Sequence, residues 1–128
     1  GISRTIEAIQ DVQKTGERAF IWTNLVDFDQ EYGHRNDVPG FSAALQAFDA
    51  ALPEIRAVLP DEARLCITAD HGNDPSTPST DHSREYVPLL LFGSPIVRDI
   101  GTRTTFADHA QTVAAYFQCT FESPGFAF

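Results

Sequence analysis

The chain has 128 residues, 42% of them hydrophobic, which is one domain's worth of polypeptide with enough apolar content to bury a core. Its formal net charge of -9, from 9 basic and 18 acidic residues, argues against nucleic acid or an anionic membrane as partner and is compatible with divalent cations. No apolar run approaches the roughly 18 residues of a membrane span, and no signal peptide opens the chain, so an intracellular, cytoplasmic protein is expected.

The first element is a short amphipathic helix over "GISRTIEAIQDVQKT", where Ile2, Ile6, Ile9 and Val12 recur at helical spacing. "RAFIWTNLVDF" follows, rich in β-branched and aromatic residues, and reads as a strand near 19–26. After the polar stretch "DFDQEYGHRND", the residues Leu45, Phe48, Leu52, Ile55 and Leu59 recur at steps of three and four. They describe a long helix over about 39–58. Pro53 lies inside it, and its ring should clash with the Asp49 carbonyl and kink the helix while the apolar stripe stays in phase.

"ARLCITA" is a short, almost continuously apolar strand of the kind buried on both faces. "YVPLLLFG" is another, with Pro88 near its start, where a missing N–H is tolerated. "TFADHAQTVAAYF" closes the sequence as a helix, with Thr105 and Asp108 forming a T-x-x-D start like a capping box and Val113 and Phe117 on one face. Strands alternating with helices predict an α/β architecture, a layered sheet of mainly parallel strands flanked by helices. Cys66 and Cys119 lie far apart, without C-x-x-C spacing, and Cys66 falls in an apolar strand where a reduced thiol is the usual occupant.

In open α/β sheets the working site lies at the carboxyl ends of strands. The strand ending near Val26 leads to Asp29 and His34, and the strand ending near Ala69 leads to Asp70, His71 and then His82. Carboxylate and imidazole together suit Mn²⁺, Zn²⁺ or Fe²⁺, whereas Mg²⁺ prefers oxygen alone. Five such ligands exceed the needs of one ion with open positions but match two ions about 4 Å apart, which can clamp both oxygens of a phosphoryl transfer. Asp27 competes with Asp29, and the residues alone leave the two open. His109 falls in the first turn of the last helix and reads as structural.

"NLVDFDQEYGHRNDV" and "ITADHGNDPSTPSTDHSREYVPLLLFG" resemble the metal-binding segments of the phosphopentomutases, in the alkaline phosphatase superfamily, and "TFADHAQTVAAYF" is similar to that family's closing helix. T-A-D-H-G-N is shared with cofactor-independent phosphoglycerate mutases; "NLVDFD" with "YGHR", and "TDHSRE" with its histidine eleven residues beyond His71, favour the pentomutases. The resemblance implies an alkaline-phosphatase-like core. It assigns Asp29, His34 and His82 to one ion and Asp70 with His71 to the other, chooses Asp29 over Asp27 by its D-x-x-x-G-H position, and names manganese as the preferred ion.

It also implies an absence. In the family a phosphorylated threonine passes the phosphoryl group between O1 and O5 of ribose or deoxyribose, in nucleoside salvage. That threonine and a further metal-binding aspartate come from an N-terminal portion, and a cap domain contacts the pentose phosphate substrate. Thr68, Thr77, Thr80 and Thr105 match no such motif, the sequence contains no Met and it starts at Gly1. Residues 1–128 are therefore expected to be the C-terminal part of a metal-binding core, carrying ligands but no nucleophile, with the N-terminal portion of the same protein as its partner. Other readings of the same residues are a phosphoglycerate mutase or phosphatase of the superfamily, or a non-catalytic metal-binding domain.

Overall fold

The computed structural model describes residues 1–93 and 99–128. They form two compact units, one built from the residues up to 93 and the other from those after 98. The first holds helix α1 (Ile2–Thr15), a π-helical turn (Phe28–Tyr32) running into a 3₁₀ turn (Gly33–Arg35), helix α2 (Val38–Ala57) and strands β1 (Leu65–Thr68) and β2 (Leu89–Phe92). The second holds helix α3 (Ala107–Phe117). Helices and a strand pair make the chain α/β, and no helix among the described residues is long and apolar enough to cross a membrane.

Helix α1 ends where Gly16 takes the left-handed conformation (φ 68°) and its N–H closes on the Val12 carbonyl, which satisfies one of the carbonyls left over at a helix end. Helix α2 begins at Asp37, whose carboxylate accepts the Gly40 N–H at 3.0 Å, and it runs unbroken through Pro53. The buried apolar side chains of this unit are Ile9 on α1 and Ile55 on α2.

Three features depart from the sequence reading. The strands β1 and β2 pair antiparallel, Leu65 with Phe92 through Thr68 with Leu89, and no parallel ladder occurs among the described residues. The 20-residue connection contains no crossover helix, which suits an antiparallel pair, since parallel neighbours are usually joined through one. The apolar run at 19–26 joins no ladder, and Phe20, Trp22 and Val26 are exposed. β-Propensity states fitness for a half-buried pleated surface, and no described strand offers that run a ladder partner.

The T-x-x-D capping box does not close either. The Ala107 N–H donates to Thr105 Oγ1 at 3.2 Å, but the Asp108 carboxylate turns to the Phe126 N–H (2.9 Å) and Arg103 Nε (2.7 Å). A carboxylate takes the charge-assisted partner over a neutral cap when both are in reach. Arg103 also donates to the Phe126 carbonyl and lies over the Phe128 ring, so Asp108, whose side chain is 5% exposed, fastens the end of the chain to α3. His109 stands edge-on to Phe128, and burial pushes its imidazole below its ordinary value, in keeping with a structural role.

Candidate metal centre

The antiparallel pair explains how two histidines eleven residues apart come together. Where β1 ends the chain enters the 69–88 loop, and where β2 begins it leaves it, so the loop's two arms run side by side. An isolated antiparallel bridge between Gly72 and Ser83 extends the contact, with the Ser83 N–H on the Gly72 carbonyl at 3.1 Å. The neighbours of these two residues, His71 and His82, therefore stack, with ring centroids 3.7 Å apart and planes inclined by 22°. The Asp74 N–H donates to Ser83 Oγ at 2.8 Å and ties the arms once more.

The π-helical turn delivers the carboxylate. Phe28 packs edge-on against Phe41 of α2 (5.6 Å), which anchors the turn and leaves the next residue, Asp29, facing the loop. Asp29 Oδ1 lies 3.3 Å from His82 Nε2, and Oδ2 lies 3.3 Å from Nε2 of His34 on the 3₁₀ turn. The His34 and His82 ring centroids are 4.9 Å apart. Asp29, His71 and His82 each offer one ligand atom within 4.8 Å of the other two.

Two further bonds set the chemistry of the imidazoles. His34 Nδ1 lies 2.6 Å from the Thr80 carbonyl and His71 Nδ1 lies 3.3 Å from that of Gly72. A carbonyl only accepts, so each Nδ1 carries the proton, and in the neutral ring each Nε2 presents its lone pair. Lone pairs and a carboxylate pointing at one another repel unless a cation or a proton lies among them. This donor set fits a divalent ion of borderline hardness, held by imidazole and carboxylate. Burial alone would raise the Asp29 carboxyl, but the Asn73 amide and the charge that the His34, His82 and His71 rings carry when protonated, as they are in the acid range where a carboxyl titrates, outweigh it and hold the group below its ordinary value. Asp29 stays ionised and able to ligate.

The five residues named from the sequence are thus not placed alike. Asp29, His34, His71 and His82 converge, whereas Asp70 lies at the margin, its side chain 72% exposed and its Oδ2 3.7 Å from His71 Nε2. His71 sits with His82 and Asp29 in one group, a different grouping from the two-ion division implied by resemblance. Asp27 precedes the π-helical turn, is exposed and lies outside the group. Of the two strand-end expectations one is met, since β1 leads into Asp70, His71 and the loop that carries His82, and the other is not, since no strand forms at 19–26 and Asp29 and His34 stand on the π and 3₁₀ turns. Sequence reasoning missed Asn73, whose Nδ2 donates to Asp29 Oδ1 at 2.6 Å; its place two residues beyond His71 was the available signal.

Comparison with known proteins agrees with this chemistry. The chain is 51% identical to a protein named phosphopentomutase from Acetivibrio thermocellus over 130 aligned positions, which take in all of this chain and 32% of that protein. It is 50% identical over 110 positions to phosphopentomutases of Yersinia pestis and Yersinia pseudotuberculosis, covering 85% of this chain and 27% of each of them. The chain therefore spans about a third or less of the length of these curated relatives. A family described as the metalloenzyme superfamily matches residues 2–120, and the chain belongs to that superfamily.

Proposed function

We propose that this chain is the metal-binding part of a phosphopentomutase, an enzyme that interconverts pentose 1-phosphate and pentose 5-phosphate. The observation that carries the reading is the Asp29 carboxylate faced by the imidazoles of His34 and His82, with His71 stacked on His82 and the Nδ1 atoms of His34 and His71 tied to carbonyls, in a chain half identical to proteins of that name. In this reading Asp29, His34, His71 and His82, with Asp70 swinging in from the margin, hold two divalent ions, manganese by preference. When bound, the ions would polarise the phosphoryl group and screen its charge. The residues themselves orient the donor atoms: the Thr80 and Gly72 carbonyls fix the imidazoles of His34 and His71, and Asn73 fixes the carboxylate.

The nucleophilic threonine and the pentose contacts belong to the rest of the whole protein, where the sheet gains the parallel strands expected of an alkaline-phosphatase-like core. The isolated chain then binds metal without turning over substrate, because two metals without a nucleophile cannot run a phosphoenzyme shuttle. In this reading the whole protein works in the cytoplasm, in nucleoside salvage. Two measurements test the reading. Mn²⁺ titration of the chain, followed by electron paramagnetic resonance, should show binding that His82→Ala abolishes. The full-length protein, given ribose 1-phosphate, should yield ribose 5-phosphate by ³¹P NMR; released inorganic phosphate would make it a phosphatase instead, and no reaction would leave a non-catalytic domain.

A further inference from the structure

We propose that Asn73 is a positioning residue for Asp29, and that Gly33 is glycine because the Asn73 side chain occupies the space its Cβ would need. The proposal rests on reading Asp29 as a metal ligand. Asn73 Nδ2 donates to Asp29 Oδ1 at 2.6 Å, the same oxygen that faces His82 Nε2 at 3.3 Å. A carboxylate on a short π-helical turn has free rotation about its last bond. The amide removes that freedom by engaging one oxygen, and the second oxygen is thereby aimed at His34 Nε2, 3.3 Å away.

What leaves room for the amide is Gly33. A Cβ built there would lie 2.6 Å from Asn73 Cγ and 2.9 Å from Oδ1, closer than real Cβ contacts allow. Gly33 is buried and its φ is -61°, so the glycine answers to this close approach and not to an unusual backbone. Asn73 Oδ1 is itself buried without a hydrogen-bond partner among the described residues. An amide that tolerates an unsatisfied oxygen, at a cost of about 1–3 kcal/mol, is held for what its nitrogen does. The loops are also tied by His34 to the Thr80 carbonyl and by Asn36 Nδ2 to the Thr77 carbonyl at 2.8 Å, so losing Asn73 need not separate them. Outer partners of metal ligands change affinity about 10- to 100-fold when removed, which sets the expected size.

The test uses the 128-residue chain, Mn²⁺ alone as probe, and the variants Asn73→Ala, Asn73→Leu, Gly33→Ala and Asn36→Ala, with near-ultraviolet circular dichroism to show that each is folded. Asn73→Ala and Gly33→Ala should each weaken Mn²⁺ binding about 10- to 100-fold, and their combination should be no weaker than either alone, because both act through one contact. Asn73→Leu, which keeps the bulk and loses the donor, should also weaken it. Asn36→Ala, which loosens the loops without touching Asp29, should change it by less than about 2-fold.

Retained affinity in Asn73→Ala, or in Asn73→Leu, overturns the proposal. A second readout needs no metal: long-range ¹H–¹⁵N spectra of the histidine rings in the metal-free chain. Asn73→Ala should shift the His34 and His82 Nε2 signals. If the unaltered chain binds no Mn²⁺ while these signals shift, the metal reading fails and the positioning stands; unshifted signals overturn the positioning itself.

Discussion

Gly72→Ala perturbs the centre without touching a donor atom. Gly72 is buried at the bridge that sets His71 beside His82, and a Cβ there would stand 2.6 Å from the Ser83 carbonyl oxygen and 2.7 Å from the Glu85 N atom. Both are backbone atoms, so no side chain can swing aside. Relief to an ordinary contact of about 3.4 Å requires the second arm to retreat by roughly 0.8 Å, and overpacking of this kind costs about 1–3 kcal/mol. For a chain of this size each kcal/mol is worth about 4 °C in melting temperature, so a fall of about 4–12 °C is expected by differential scanning calorimetry. The larger consequence is local. Ser83 adjoins His82, and a displacement of that size carries Nε2 away from Asp29 Oδ1, now at 3.3 Å, and unstacks the ring from His71. On the proposed metal-binding function, Mn²⁺ affinity should fall about 10-fold or more, as affinity does when supporting groups of metal sites are disturbed. Unchanged melting and unchanged affinity in Gly72→Ala would refute the argument that this bridge fixes the geometry of the centre.

Two further outcomes are expected. The Phe126 N–H and then Arg103 hold the Asp108 carboxyl below its ordinary 3.8 against the opposing effect of burial. Its folded value lies below its unfolded one, so its contribution is fully present above about pH 4 and is lost as pH falls through the folded value. Asp108→Ala should therefore lower the melting temperature at pH 7, and the gap between variant and parent should close below pH 4; a gap independent of pH would show that the carboxylate is not what fastens the chain end. Phe20 and Trp22 are 54% and 67% exposed in a run of high β-propensity, which is a surface prone to pairing. The chain should self-associate in sedimentation velocity at high concentration, and Phe20→Ser with Trp22→Ser should lower its average mass; a monomer throughout would show the run to be innocuous.

How far the sequence was legible depends on the range of the interaction that decides each feature. Helix α1 and helix α2 are written in local spacing, Ile2, Ile6, Ile9 and Val12 for one and Leu45, Phe48, Leu52 and Ile55 for the other, and they occur within a residue or two of expectation. The strands at Leu65–Thr68 and Leu89–Phe92 were equally readable, since a short apolar run bounded by turn residues has few alternatives. The run at 19–26 carries the same signal and forms no ladder, because a strand exists only with a partner and composition does not specify one.

The closing helix shows the same limit on a smaller scale. Thr105 and Asp108 have the spacing of a cap, yet Asp108 bonds Phe126, eighteen residues further along the chain. Spacing could propose only the near partner.

Taken by itself, the sequence determined the donor chemistry: acids and imidazoles crowded around Gly33-His34, Asp70-His71 and Asp81-His82, of a kind that suits a divalent ion. Only the tertiary structure decided which of them meet. Antiparallel pairing of β1 with β2 laid His71 against His82, the π-helical turn anchored on Phe41 brought Asp29 and not Asp27 to face them, and Asp70 was left at the rim. The reason is one of dimension. Ligation depends on atoms 3–5 Å apart that belong to residues tens of positions apart in the chain. That proximity comes from register, turn geometry and the close approach of a backbone at Gly33 and Gly72, none of which is a property of residue type alone.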